Sequence, residues 1–418
     1  MNKLYGRLLL QKELTKIPDE VILFDGMKEV SKTIVMCNRC GKKSKKKEVY
    51  LPVGAYYCPH CIQMGRVRSD EKLYHLPQKN FAAVSCLKWQ GKLTGPQQYI
   101  SDNLLNLHRQ QKTVLVQAVT GAGKTEMIYQ VIDATLKKGK AVGLTSPRID
   151  VCLELYYRLK RDFSCPISLL HGKGEKYSRS PLVIATTHQL LRFRHAFDLL
   201  ILDEVDAFPF PDNEMLYFAL AQARKPSSSL IYLTATTTNN LEKQVKLGQI
   251  EKLQLPRRFH GFPLVLPQFF WQSKFYKMIK KQRESGLPLL IFAPEIRLGE
   301  KLCQDLQSSF PHEEIAFVAS TSLERLESVE RFRHGKVSIL VSTTILERGV
   351  TFPKVDVFVF QSHHHNFTRS SLIQIAGRVG RSTERPDGKV IFFHLGKTTA
   401  MLEAYKDIRN MNKAGGFQ

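Results

Sequence analysis

From residue 113 onward, short apolar runs alternate with longer stretches in which apolar residues return every three or four positions. Val114–Val116, Ala141–Leu144, Leu182–Thr186, Leu199–Leu202 and Leu230–Leu233 are too short for helices and end in polar or glycine residues, so they predict buried strands. Between the first two, Met127, Ile128, Val131, Ile132 and Leu136 mark one helix face, and the run closes at Lys137-Lys138-Gly139. Leu289–Ala293, Ile315–Val318, Ile339–Ser342, Val355–Phe360 and Val390–Phe393 repeat the alternation. Strand–helix alternation of this kind predicts an α/β chain with parallel sheets, here in two lobes, residues 93–255 and 256–418. Ahead of them lie a motif-free stretch (1–36), a cysteine-bearing segment (37–61) and a linker (62–92).

The chemistry sits where the predicted strands end, the ligand edge of a parallel sheet. After Val114–Val116 comes Ala118-Val-Thr-Gly121-Ala122-Gly123-Lys124-Thr125-Glu126, a strand, glycine loop and helix start that fit a phosphate loop. Gly121 and Gly123 let backbone N–H groups point inward. Lys124 would reach the β- and γ-phosphates, and the Thr125 hydroxyl would hold Mg²⁺. Gln97, about twenty residues ahead, offers a donor and an acceptor for an adenine edge. Leu199–Leu202 delivers Asp203 and Glu204, a metal carboxylate followed by a base for the attacking water, in Asp-Glu-Val-Asp206. Buried adjacent carboxylates are costly without a cationic partner. The hydroxyls of Thr234-Ala235-Thr236 would relay nucleotide state. Arg148 and Thr187, and in the second lobe Thr343 and Thr344, are candidates for phosphodiester contacts. Gln374-Ile-Ala-Gly377-Arg378-Val-Gly380-Arg381 pairs a glutamine with two arginines suited to a transferring phosphoryl group.

Cys37-Asn-Arg-Cys40 and Cys58-Pro-His-Cys61 have the spacing of a four-thiolate zinc ribbon, a closed structural site. Four other cysteines read as reduced packing residues. His60 reads as a non-ligand, and His363-His364-His365 as an exposed loop. Lysines at 42, 43, 45, 46 and 47, with Tyr50, Tyr56 and Tyr57, combine phosphate and base affinity. The formal charge of +24 favours a polyanionic partner, nucleic acid or an anionic lipid surface. No apolar run approaches a membrane span, which leads us to expect a cytoplasmic chain whose membrane contact, on the inner face, is peripheral.

AVTGAGKT, TSPR, TTHQL, DEVD, TAT, TTILERGVTFP and QIAGRVGR stand in the order of the superfamily 2 helicase motifs. With a Cys₄ ribbon in front, the chain resembles the late-competence DNA-uptake ATPases (ComFA-type) of Gram-positive bacteria. The resemblance implies two RecA-like domains and an ATPase stimulated by single-stranded DNA, with ATP, Mg²⁺ and Zn²⁺ as cofactors. It also implies an uptake-channel protein, a phosphoribosyltransferase-like competence protein and a recombination mediator as partners. By motif, Lys124, Thr125, Asp203, Glu204, Arg378 and Arg381 serve hydrolysis. Gln97, Gly121, Ala122, Gly123, Glu126, Gly349 and Gln374 surround the nucleotide. The rival readings are a duplex-unwinding helicase of replication restart or RNA metabolism, and an ATP-gated DNA-binding adaptor that does not move.

Overall fold

The structure, a computed structural model, describes residues 3–172, 177–322, 324–348 and 351–417. The chain forms two compact units, Met1–Val116 with Thr125–Leu253, and Gln117–Lys124 with Gln254–Gln418.

The first parallel sheet has seven strands, in the order Ile167–Leu170, Leu182–Thr186, Val142–Ser146, Phe197–Asp203, Arg224–Thr234, Thr113–Ala118 and Glu251–Leu255. Leu182–Thr186 and Phe197–Asp203 are buried along their whole length, which is why they read as unbroken apolar runs rather than alternating ones. The strands at 142, 167, 182, 197 and 224 pair in parallel, so their polar tips share one edge. The anticipated helix after the glycine loop is two pieces, Lys124–Met127 and Tyr129–Leu136. Gly139 follows at φ +66°, the left-handed turn that ends the run.

The second unit is built on six parallel strands, ordered Gln268–Trp271, Val390–His394, Asp356–Val359, Leu289–Phe292, Ile339–Ser342 and Ile315–Val318. Five follow the predicted apolar runs. The sixth, Gln268–Trp271, is a half-exposed edge whose mixed polar and aromatic residues gave no buried-strand signal. Phe275, Ile291, Phe358 and Phe393 centre its core.

The N-terminal quarter departs most from expectation. Leu8–Leu10 and Ile22–Asp25 pair antiparallel with Lys72–His75, so a strand sits inside the stretch read as a linker. The rest of that stretch is a strap. Phe81 N donates to Gly139 O (2.7 Å), Cys86 N and Leu87 N to the Asp133 carboxylate (2.9 and 3.1 Å), and Lys88 N to Asp162 O (2.8 Å). A strap held by distant partners carries no periodicity of its own, which is why it read as a tether.

Candidate functional site

The strand Thr113–Ala118 opens into a loop in which Gly121 and Gly123 take φ of +80° and +74°. Those angles are what allow successive amides to line a concave, anion-accepting turn. Ala122 N donates to Val119 O (3.1 Å), closing the loop on itself. Val119 N donates to Leu255 O (3.1 Å) and Phe259 N to Gly121 O (3.2 Å), and through such contacts the loop groups with the second unit. Thr120 Oγ1 is buried with no hydrogen-bond partner among the described residues, a polar atom suited to a phosphate oxygen. Lys124 heads the helix, and Thr125 is buried just behind it. The Thr125 hydroxyl accepts from Arg158 Nη1 (3.0 Å), and Arg158 Nη2 reaches Glu126 (3.0 Å). A hydroxyl keeps a second lone pair, so Thr125 still fits Mg²⁺.

Asp203 ends a fully buried strand, and its Oδ1 accepts Glu204 N (2.9 Å). Glu204 has φ +56°, a left-handed backbone that costs a non-glycine residue about 1 kcal/mol and fixes where its side chain leaves the chain. Asp206 accepts hydrogen bonds from Thr234 Oγ1 (2.8 Å) and Thr236 Oγ1. The hydroxyls read as a relay therefore end on the last acid of the same motif.

Gln97 is buried, and its Oε1 accepts from Thr94 N (2.9 Å) and Thr94 Oγ1 (3.0 Å), capping the helix Gly95–Arg109. Its carbonyl is committed to the cap, so reading adenine with both ends of the amide requires an exchange of partners. Thr187 is 0 % exposed, so its hydroxyl does not face solvent as a strand contact requires; it begins a tight helical turn, Thr187–Arg192, packed under the sheet edge. Arg148 precedes the helix Ile149–Asp162 with its guanidinium 3.9 Å from Asp150. Thr343 and Thr344, half-buried, follow the strand Ile339–Ser342.

In the second unit, Gln374 lies buried on the helix Arg369–Ala376, its Nε2 without a partner among the described residues. Arg378 is buried and donates from Nε to Glu347 O (3.0 Å). Arg381 donates to Gly377 O (2.9 Å) and Thr351 Oγ1 (3.2 Å). Gly349 lies outside the described residues. Arg258 was not anticipated. It is 3 % exposed, donates to Val379 O (2.9 Å) and Gly380 O, and lies against Gly121. Burial, with Arg381 nearby, pushes its pKa down to about 9, leaving it charged at neutral pH. Arg158 and Arg258 carried no motif; their partners are distant in sequence.

The cysteine quartet is tightly drawn. Cys37, Cys40, Cys58 and Cys61 are all buried, and their sulfurs lie within 4.8 Å of one another. Cys37–Cys61 and Cys40–Cys58 sulfurs are 3.9 and 3.5 Å apart. A tetrahedral zinc with ~2.3 Å bonds separates its sulfurs by about 3.8 Å, so the four fit the ion. Arg39, wholly buried, donates to the carbonyls of Cys61 and Met64 (each 3.3 Å), placing a positive charge beside four prospective thiolates. His60 is exposed. Gly41, at φ +70°, lies where any Cβ would strike the Phe218 ring, which packs the knuckle against the helix Glu214–Ala223. Among the nearby lysines, Lys42 pairs with Glu214 (2.9 Å), Lys46 with Glu29 (2.7 Å) and Lys45 with Glu48 (3.4 Å), so the run is partly neutralised within the protein. No helix among the described residues is long and apolar enough to cross a membrane.

Residues 90–239 match the family "Type III restriction enzyme, res subunit", and residues 272–383 the "Helicase conserved C-terminal domain". The fold is that of DEAD-box structures: yeast Dbp5 bound to RNA and ADP BeF3 aligns with a TM-score of 0.57 at 15% identity, over 78% of this chain and 92% of that one. Mss116 bound to ssRNA and UDP-BeF aligns at 0.56 with 19% identity, over 79% and 84%. Two parallel-sheet RecA-like domains carrying these motifs define a helicase-like ATPase.

Residues 1–75 match the "Competence protein ComFA N-terminal domain". Competence protein ComFA of Streptococcus pneumoniae is 53% identical over 99% of this chain and 98% of its own length, and that of Bacillus subtilis 38% identical over 98% and 94%. The chain belongs to the ComFA family of competence proteins.

Proposed function

We propose that this protein is an ATP-driven motor that moves along single-stranded DNA and draws transforming DNA into the cytoplasm. The observation that carries the reading is a glycine loop entering a helix through Lys124, on the same seven-stranded sheet as a buried strand that ends in Asp203 and Glu204. Membership of the ComFA family supplies the setting.

In this reading the loop amides and Lys124 hold the β- and γ-phosphates of ATP. Thr125 and Asp203 hold Mg²⁺, which neutralises charge on the phosphate oxygens. Glu204 orients a water and accepts its proton as the oxygen bonds to the γ-phosphorus and the bond to the β-phosphate oxygen breaks. Arg378 and Arg381 are assigned to the charge that develops on the transferred group. Asp206, through Thr234 and Thr236, links the hydrolytic acids to the next strand. Zn²⁺ on the four cysteines holds the N-terminal module together. The uptake channel, the phosphoribosyltransferase-like competence protein and the recombination mediator are the partners this setting leads us to expect, with peripheral membrane contact and self-association as further elements.

The test is ATP hydrolysis by the purified protein without nucleic acid and with single-stranded DNA, duplex DNA or RNA, with K124A as the blank. Stimulation by single-stranded DNA alone, followed by directional movement in a translocation assay, is the expected result. Equal stimulation by duplex or RNA would transfer the reading to an unwinding enzyme. Hydrolysis without movement would sink the motor and leave an ATP-gated adaptor.

A further inference from the structure

We propose that a cleft between the extreme N-terminal segment and the strand-end turns of the first sheet is a track for single-stranded DNA, with Lys3, Arg7 and Lys16 forming the wall that the helicase motifs do not supply. The proposal rests on the single-strand reading above and names where, within the first unit, the strand lies.

The cleft has a volume of about 990 Å³. One side is made by Pro147, Thr186, His188 and Gln189, residues that follow the strands Val142–Ser146 and Leu182–Thr186 at the ligand edge of the sheet. The opposite side is N-terminal, with Lys3, Arg7 and Lys16, and with Gln63 from the cysteine module. Among the described residues, four lysine and arginine side chains line the cleft against one acid, Glu13. That acid is already engaged, by Leu10 N (2.9 Å) and by Arg192 Nη2 (3.5 Å). The excess positive charge therefore faces whatever enters, and a polyanion is the ligand it fits.

The lining also selects a single strand. Ile149, exposed, places apolar surface beside the cations, backed by the buried Leu170 and Tyr177, a pairing that serves unstacked bases together with their phosphates. The Tyr177 hydroxyl is buried and has no hydrogen-bond partner among the described residues. Burial holds the His188 imidazole below its usual pKa, so at neutral pH it meets a base by hydrogen bonding rather than by charge.

The wall is pre-ordered. The Arg7 guanidinium lies 4.4 Å from the Tyr177 ring centroid and 4.7 Å from that of Phe193, and its Nε donates to Arg192 O (3.0 Å). Arg194 N donates to Gly6 O (2.9 Å), and His75 Nδ1 lies 2.8 Å from Arg7 O. Burial lowers Arg7 only to about 10, so it stays charged at working pH. A cation fixed before binding loses little side-chain entropy when a phosphate arrives.

The experiment is fluorescence anisotropy with a labelled oligothymidylate, titrated at several salt concentrations between about 50 and 200 mM. The variants are the full-length double reversal K3E/K16E, both exposed positions, and K280E/K281E, which makes the same change of net charge on the exposed face of a helix in the second unit. For K3E/K16E we expect affinity to fall at least about tenfold, and the salt slope to flatten by about 1.4 for two lost phosphate contacts. The melting curve and zinc content should stay at wild-type values, and K280E/K281E should bind as wild type does. Equal binding by wild type and K3E/K16E overturns the track while leaving the single-strand reading standing. Equal weakening by both double variants overturns it too, because the effect is then one of net charge. A wild-type protein that binds no single-stranded DNA overturns the reading itself, and one that prefers RNA overturns the choice of DNA.

Discussion

The cysteine cluster and the phosphate loop are both turns that present donors to a ligand, yet they are supported in opposite ways. The quartet takes all its donors from residues 37–61, and the sulfurs already lie within 4.8 Å of one another. The glycine loop and Lys124 come from one short run, but the residues proposed to act with them, Asp203, Glu204 and Arg378, lie tens to hundreds of residues away. The first site is closed by local geometry and acts on stability. The second, in the proposed reading, draws on residues far apart in sequence and acts on chemistry. Substitutions should separate along that line.

The largest effect is expected at the loop. K124A should reduce ATP turnover by about 100-fold or more, with a melting temperature close to wild type, because a half-exposed lysine contributes to the phosphates rather than to the core. A fall in melting temperature as large as the fall in rate would erase the contrast. At the cluster the expectation reverses. C58S should lose bound zinc, read by metal analysis, and destabilise the first unit by several kcal/mol, read by denaturant melts. Turnover per folded molecule should change far less.

Asp206 lies between the two cases, since it is a buried acid of the Asp203–Asp206 run that is held through hydrogen bonds. D206N weakens two hydroxyl contacts, and should cost about 1.5–3 kcal/mol of stability and roughly tenfold in turnover. A T234V change should reproduce part of both losses.

The last effect appears only in acid. Burial, with Lys138 and Lys140 nearby, holds His108 down at about 4, and its ring nitrogens meet Ser229 Oγ (2.9 Å) and Thr135 Oγ1 (3.1 Å). The unfolded chain binds this proton near pH 6.5 and the folded one only near 4, so the contribution is complete above 6.5 and is lost as pH falls toward 4. It amounts to about 2–3 kcal/mol at most. H108Q should flatten the stability profile in that window while leaving zinc content unchanged. An identical acid profile would remove His108 as its source.

The same distinction governs what could be read in advance. Gly121, Gly123 and Lys124, the Asp203–Glu204 pair and the four cysteines are short-range patterns, because each falls within one turn, one strand end or one short segment. The buried strands were legible because burial on both faces leaves unbroken apolar runs. Asp206 was visible as part of its motif, but its bonds to Thr234 and Thr236 arise only once two strands lie side by side. Arg158 and Arg258 gave no signal, since an arginine that serves a loop from another element has no spacing to betray it. Gln97 shows the converse, a residue singled out for an adenine edge whose carbonyl the fold uses to cap its own helix. The stretch 62–92 looked featureless because its hydrogen bonds reach Asp133, Gly139 and Asp162 rather than neighbours.

Leu8, Leu10, Val35 and the four cysteines share one continuous apolar cluster with Phe193, Phe197, Phe210 and Leu216. The helicase half therefore has no finished outer surface of its own on that side. A shortened chain starting near residue 90, at the boundary the helicase matches suggest, would lay those phenylalanines open to water and should come out of expression as aggregate. Evolution faces the same restriction: the N-terminal module cannot be traded for another without rewriting the flank it covers, so the module and the helicase-like domain behind it are bound to be inherited as one piece.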